Sequence, residues 1–163
     1  MTALHWGAVL AVNGLLAAAL WRSRTVPIGL DDATAEAVCT LIRRHAVPGA
    51  VIDLGSGWGG LALRLALRFP DRAVTGWEML WLPALASRLL RRPNLRFRRG
   101  DYLAAPLAGA AVLVCYTSPA AMALLADKLR REPAPGRLLV SARFPLPGFA
   151  AIDAEGGAFA YAA

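Results

Sequence analysis

A chain of 163 residues is long enough for one domain with a core of its own, and its 57% apolar content is high for a fully soluble one. The formal charge of +7 rests almost wholly on arginine, since Lys128 is the only lysine; this excludes an acidic solvating chain and suits an anionic partner such as a lipid headgroup, a nucleic acid or an acidic protein. Cys39 and Cys115 stand far apart in apolar surroundings, and His5 and His45 have no metal-ligand spacing, which argues against a disulfide framework and against a metal centre.

The apolar excess has a local source. Ala3–Trp21 reads ALHWGAVLAVNGLLAAALW without a charged residue, and as a helix it extends roughly 28 Å, close to the hydrocarbon thickness of a bilayer. Trp6 and Trp21 lie near its ends, where interfacial aromatics belong, and Arg22 and Arg24 follow at once. The pattern predicts a single-pass membrane protein: residues 1–24 as an anchor, and residues 25–163 as a domain held in the cytoplasm by the positive flank. A signal peptide would carry a basic leading region, and an amphipathic helix would need more polar face than Asn13 supplies.

Val26-Pro27 breaks this first helix. Asp31-Asp32 then offers an N-cap for a helix over Ala33–Ala46, which Pro48-Gly49 ends. Ala50–Leu54 reads as a first, central strand and Trp58–Phe69 as a helix. Ala73–Trp77 is a second strand ending at Glu78, and Leu80–Arg91 a helix with Pro83 in its first turn. Leu95–Arg98 and the very apolar Ala110–Tyr116 are the third and fourth strands, Pro119–Arg131 a helix, and Arg137–Arg143 the fifth strand. Phe149–Ile152 and Ala158–Tyr161 can form a final antiparallel pair.

Strands alternating with helices predict a mostly parallel sheet covered on both faces, with ligands bound beyond the carboxyl ends of the strands. The residues at those ends are Gly55–Gly59, Glu78, Asp101, Tyr116–Pro119 and Phe144–Phe149. The frame Gly55-x-Gly57-x-x-Gly60 satisfies a dinucleotide fingerprint, but Asp53 stands at its mouth. A pyrophosphate wants bare N–H groups and a helix N-terminus, not a carboxylate. A zwitterion with a fixed positive charge is a better match. S-adenosylmethionine has an ammonium for Asp53, ribose hydroxyls for Glu78, an adenine amino group for Asp101 and a carboxylate for the loop N–H groups.

These residues resemble the class I methyltransferase family. Asp53-Leu-Gly55-Ser56-Gly57-Trp-Gly59 matches its first motif, Gly76-Trp-Glu78 its second and Arg99-Gly100-Asp101 its third, over about Asp31–Arg143. More narrowly, the chain is similar to small membrane-anchored lysine methyltransferases related to those acting on the ATP-synthase c-subunit and the adenine nucleotide translocase. The shared features are the N-terminal span, Val26-Pro27, Asp53-Leu-Gly-Ser-Gly, Gly76-x-Glu78 with Trp81-Leu82 following, and Arg143-Phe-Pro-Leu-Pro147. The chain departs at Trp58-Gly59-Gly60, where that family has Asp-Gly-Arg, and at Met79, where it has Asn. The resemblance implies a Rossmann-like methyltransferase sheet with S-adenosyl-L-methionine as cofactor. The cofactor-binding residues are then Asp53, Gly55, Ser56, Gly57, Gly59, Glu78, Asp101 and Tyr102. Tyr116, Thr117 and Ser118 are the groups best placed to orient the attacking amine, without any of them being a base.

The expected reaction is methyl transfer to a lysine of a membrane protein. Methylation of a lipid or hydrophobic small molecule, and a membrane-tethered module that binds cofactor without catalysis, are the alternatives. Arg88, Arg91, Arg92, Arg96, Arg98 and Arg99 would suit a nucleic acid. They alternate with Leu95 and Phe97 on an expected edge strand, however, and arginines there blunt unwanted pairing. The fourth strand is followed by Cys115-Tyr116-Thr117-Ser118-Pro119, without the Asn/Asp-Pro-Pro-aromatic motif of base amino-methyltransferases. Both points weigh against nucleic acid. Two positions stay open. Trp58 either screens the ligand or packs, and the Phe144–Phe149 loop either meets substrate or lipid or covers the sheet.

Overall fold

The computed structural model describes residues 30–107 and 109–163. The expected span Ala3–Trp21 lies outside them, and no helix among the described residues is long and apolar enough to cross a membrane.

Helix α1 (Asp32–His45) starts where the sequence predicts. Asp31 is its N-cap and accepts the Thr34 N–H at 2.8 Å. Strand β1 (Val51–Leu54) follows, then α2 (Gly60–Arg68), β2 (Val74–Glu78), α3 (Trp81–Ser87), β3 (Leu95–Arg99), β4 (Val112–Cys115), α4 (Pro119–Arg131), β5 (Leu138–Ala142), β6 (Asp153–Glu155) and β7 (Ala158–Ala162). The sheet runs β3-β2-β1-β4-β5-β7-β6. The first five strands are mutually parallel, and β7 pairs antiparallel with β5 and β6. This is the expected Rossmann-like sheet with its antiparallel C-terminal pair. The strand expected over Phe149–Ile152 forms later, at Asp153–Glu155, because the Gly156-Gly157 turn sets which residues face Ala158–Ala160.

The core has two halves, one on each face. Val38, Leu41 and Ile42 of α1 and Leu61 and Leu65 of α2 pack on Val51, Val74, Val112 and Val140. Met122, Leu125 and Leu129 of α4 pack on Leu54, Leu113, Cys115 and Leu139. With both faces covered, β4 and β5 are buried at every position, which is why they read as unbroken apolar runs. Strand β3 is at the edge, where Leu95 is buried and Arg96 and Arg98 are exposed.

One further element differs from the sequence reading, and one position that the sequence leaves open is decided. Helix α3 stops at Ser87 instead of continuing to Arg91. The N–H groups of Arg88, Leu89 and Leu90 bond three residues back, to Leu85, Ala86 and Ser87, so the chain tightens into a turn before Pro93. The Phe144–Phe149 loop covers the sheet. Phe144, Leu146 and Phe149 pack on the α4 half of the core, and the Leu146 N–H donates to the Tyr161 hydroxyl at 2.9 Å. Ser141 fixes its start by donating to the Phe144 carbonyl at 2.7 Å.

Candidate functional site

Strand β1 ends in a loop tied to its neighbour β2. The N–H groups of Gly55 and Ser56 both donate to the Trp77 carbonyl, at 2.9 and 2.8 Å, and the Gly59 N–H returns to the Ser56 carbonyl. The Gly57 N–H donates to Glu78 Oε2 at 2.8 Å. These N–H groups, expected from the sequence to bind a ligand carboxylate, are therefore engaged within the fold. Gly59 has a φ of 86° and opens α2. A Cβ there would stand 2.7 Å from Phe97 Cζ and 2.9 Å from Leu90 Cδ1. Phe97 also lies against Gly76, so one ring from the edge strand holds both the loop and β2 in place. Sequence reading placed Phe97 only as the inward position of an edge strand. Two glycines opposite an aromatic were the available signal.

The two central carboxylates are close enough in space to feel each other. Asp53 faces Gly76 across the β1–β2 register and is 1% exposed. Its carboxyl is pushed up to about 7, first by burial and then by the Glu78 charge, while the Ala62 N–H in the first turn of α2 opposes the shift. Among the described residues, Asp53 Oδ2 and Ser56 Oγ are buried without a hydrogen-bond partner. Glu78, at the end of β2, is also buried, and its Oε1 accepts the Leu80 N–H at 2.7 Å. A carboxylate has about four acceptor sites. Two of Glu78's are used, which leaves capacity for two hydroxyl donors.

The remaining predicted residues line up along the same edge. Asp101 is exposed beyond β3, and its Oδ1 accepts the Leu103 N–H at 2.8 Å, so it shapes the turn that carries Tyr102. The Tyr102 ring reaches within 3.7 Å of the position a Gly55 Cβ would take. Burial raises the Tyr102 phenol, and a hydrogen bond with Thr117 opposes that. Tyr102 and Thr117, assigned by sequence to the cofactor and the amine respectively, are thus joined. Beyond β4, the Tyr116 hydroxyl lies 3.5 Å from Arg143 Nη1. Ser118 is the N-cap of α4 and accepts the Ala121 N–H at 3.3 Å, a helix-capping role that its place before Pro119 could have signalled. Trp58 is exposed, so it is not an ordinary core aromatic. Among the described residues no cluster of His, Cys, Asp or Glu could hold a metal.

The arrangement fits an adenosyl ligand on this chain's own terms. An unpartnered buried carboxylate oxygen and hydroxyl sit at the loop, a carboxylate with spare acceptors follows on the next strand, and a half-buried aromatic lies against Gly55.

Residues 53–153 match the family model for the ANTKMT methyltransferase domain. The chain is similar to the adenine nucleotide translocase lysine N-methyltransferase of Mus musculus, at 33% identity over 125 residues. That match takes in 74% of this chain and 53% of the mouse protein, so the chain spans about half the length of this curated relative. Among solved structures, an RNA methyltransferase from Salinibacter ruber in complex with S-adenosyl-L-homocysteine superposes with a TM-score of 0.69 at 22% identity, over 82% of this chain and 91% of that one. The sugar N-methyltransferase KedS8 from a Streptoalloteichus species gives 0.58 at 24% identity, over 81% and 55%. These two likenesses show the fold.

Proposed function

The chain belongs to the ANTKMT methyltransferase domain family, and from that premise we propose that it transfers a methyl group from S-adenosylmethionine to a lysine of a membrane protein. One observation carries the cofactor. Asp53 and Glu78, at the carboxyl ends of adjacent strands, flank a glycine loop and leave a buried carboxylate oxygen unpartnered. In this reading Asp53 and Ser56 hold the ligand ammonium, and Glu78 accepts the ribose hydroxyls. Asp101 and Tyr102 receive the adenine, while Gly55, Gly57 and Gly59 allow close approach.

The cofactor supplies a methyl group on a sulfonium, which a neutral amine displaces in line. The chain's task is alignment and exclusion of water. A free lysine is neutral in only about one molecule in a thousand near pH 7.4, a cost of about 4 kcal/mol. Desolvation in the site favours the neutral form. Tyr116, Thr117 and Ser118, beyond β4, orient the amine. Among the described residues the Tyr116 hydroxyl has one long contact, to Arg143.

The membrane part of the proposal rests on the uncharged Ala3–Trp21 segment and the Arg22 and Arg24 flank. Residues 1–24 anchor the chain and residues 25–163 form the methyltransferase domain in the cytoplasm, where a membrane-embedded acceptor is concentrated near the site. The test is to incubate the full chain and tritiated cofactor with membranes from a strain lacking the protein, and then to separate protein from lipid extract. Label on a lysine of a membrane protein is expected. Label in the lipid fraction or on a soluble protein overturns the acceptor, and absence of cofactor binding by calorimetry overturns the reading as a whole.

A further inference from the structure

Helix α3 presents its large side chains outward. Its buried residues are Pro83, Ala84 and Ser87, so the side that packs on β2 and β3 is small. Trp81 and Leu85 recur four residues apart and are 62% and 56% exposed, with Leu82 beside them and Leu89, 79% exposed, in the turn that follows. Such a spacing places side chains on one face, and in a globular protein that stripe normally turns to the core. Trp58 extends the patch, being 55% exposed on the glycine loop. The two segments are neighbours, because Leu90 packs at Gly59, next to Trp58.

Arginines surround this patch. Arg88, Arg91 and Arg92 follow α3, and Arg96, Arg98 and Arg99 lie on the edge strand; all six are exposed. Among the described residues none of them makes an ion pair; the cations that do are Arg43, Arg44, His45, Arg64, Arg68, Lys128 and Arg130. Arg98 instead lies over the Trp77 ring, 5.9 Å from its centroid.

We infer that this face docks on an anionic phospholipid bilayer. The tryptophans and leucines enter the headgroup boundary, and the unpaired guanidiniums meet lipid phosphates. Charge complementarity selects this occupant. A neutral apolar partner would leave six arginines unmatched, and a nucleic acid would leave Trp81, Leu82, Leu85 and Leu89 in water. The face begins at Trp81, three residues after Glu78, so docking brings the candidate site close to the lipid. The inference goes beyond the proposed anchor and the proposed reaction, and it holds or fails separately from both.

Cys39 and Cys115 are buried, so a nitroxide on Leu85→Cys reports a single position. The full chain carrying it is reconstituted in phosphatidylcholine bilayers with and without phosphatidylglycerol. Oxygen and an aqueous nickel complex then probe depth by power saturation. With phosphatidylglycerol, the label is expected to gain oxygen contact and lose nickel contact, while a label on Leu67→Cys, near the far end of α2, stays aqueous. Replacing Arg88, Arg91 and Arg92 by Gln should weaken the insertion about fivefold for each arginine, with the melting curve unchanged as a check on folding. A Leu85 label that remains aqueous in both bilayers overturns the inference. So does insertion that ignores phosphatidylglycerol and the arginines, and so does protection that follows protein concentration, which would make a second copy the occupant.

Discussion

The Glu78 carboxylate closes the loop that it faces, accepting the Gly57 N–H at 2.8 Å across 21 positions of chain. Its other oxygen holds the Leu80 N–H at 2.7 Å, where α3 begins. One side chain at the end of β2 therefore fixes the glycine loop after β1 and the start of the next helix. It does so with two of its acceptor sites, so its role in the fold leaves room for a role toward a ligand.

Glu78→Ala should show both roles. Two N–H groups lose their partner, and the expected loss of stability is about 1–3 kcal/mol in urea denaturation. Affinity for S-adenosylhomocysteine should fall at least about tenfold, about 1.4 kcal/mol, by calorimetry. A destabilised variant that binds as tightly as the parent would leave Glu78 with the structural role alone.

Ser118 separates capping from catalysis. Ser118→Ala should lower stability by about 1 kcal/mol, because the Ala121 N–H at the start of α4 loses its acceptor. Ser118→Asn, another good cap, should restore the melting temperature. If the hydroxyl also orients the amine, turnover should stay depressed in the Asn variant while its stability recovers. Recovery of both would confine Ser118 to holding α4.

Much of the fold was legible because each strand sits between strong signals. Asp31 capped α1 as read, Pro119 opened α4 as read, and the five parallel strands fell within a residue or two of their expected bounds. Asp53, Glu78 and Asp101 were legible as a set because a parallel sheet brings the ends of its strands together. What the sequence hid was orientation. Leu80–Arg91 reads as a helix with no face assigned, and in the fold α3 buries Pro83, Ala84 and Ser87. The sequence leaves open whether the apolar Phe144–Phe149 loop meets substrate or lipid or covers the sheet, and it packs inward because Tyr161 and Ser141 tie its backbone down. The engagement of the loop N–H groups by Trp77 and Glu78 depends on distances between strands, to which spacing along the chain is blind.

Gly59 and Gly57 should differ when each is replaced by Ala. Both have positive φ, 86° and 54°. A Cβ on Gly57 meets open space, whereas one on Gly59 meets the Phe97 ring and Leu90. Gly57→Ala should therefore carry backbone strain alone, about 1–2 kcal/mol. Gly59→Ala adds overpacking of about 1–3 kcal/mol. Urea denaturation gives the order, and Phe97→Leu combined with Gly59→Ala should recover part of the second loss. Equal destabilisation at the two positions would contradict the packing assigned to Phe97.

Asp53 links both stability and binding to pH. Its folded carboxyl titrates near 7 against an ordinary value of 3.8, because burial and the Glu78 charge oppose ionisation. For an acid raised in this way the folded state holds the proton more tightly, so the contribution to stability is full below about pH 4, declines between about pH 4 and pH 7, and is lost above that. Asp53→Asn has no such titration. Its stability relative to the parent should rise through that window and level off above it, as measured by urea denaturation at a series of pH values. Binding reverses the preference. A ligand ammonium beside Asp53 favours the carboxylate and lowers its pKa, so binding near pH 7 should release a proton and affinity should increase from pH 6 to pH 8, by up to about tenfold in all. Calorimetry with S-adenosylhomocysteine in two buffers of different ionisation heat counts that proton directly. The Asn variant should bind more weakly and release none. No proton released by the parent would remove Asp53 from contact with the ligand ammonium.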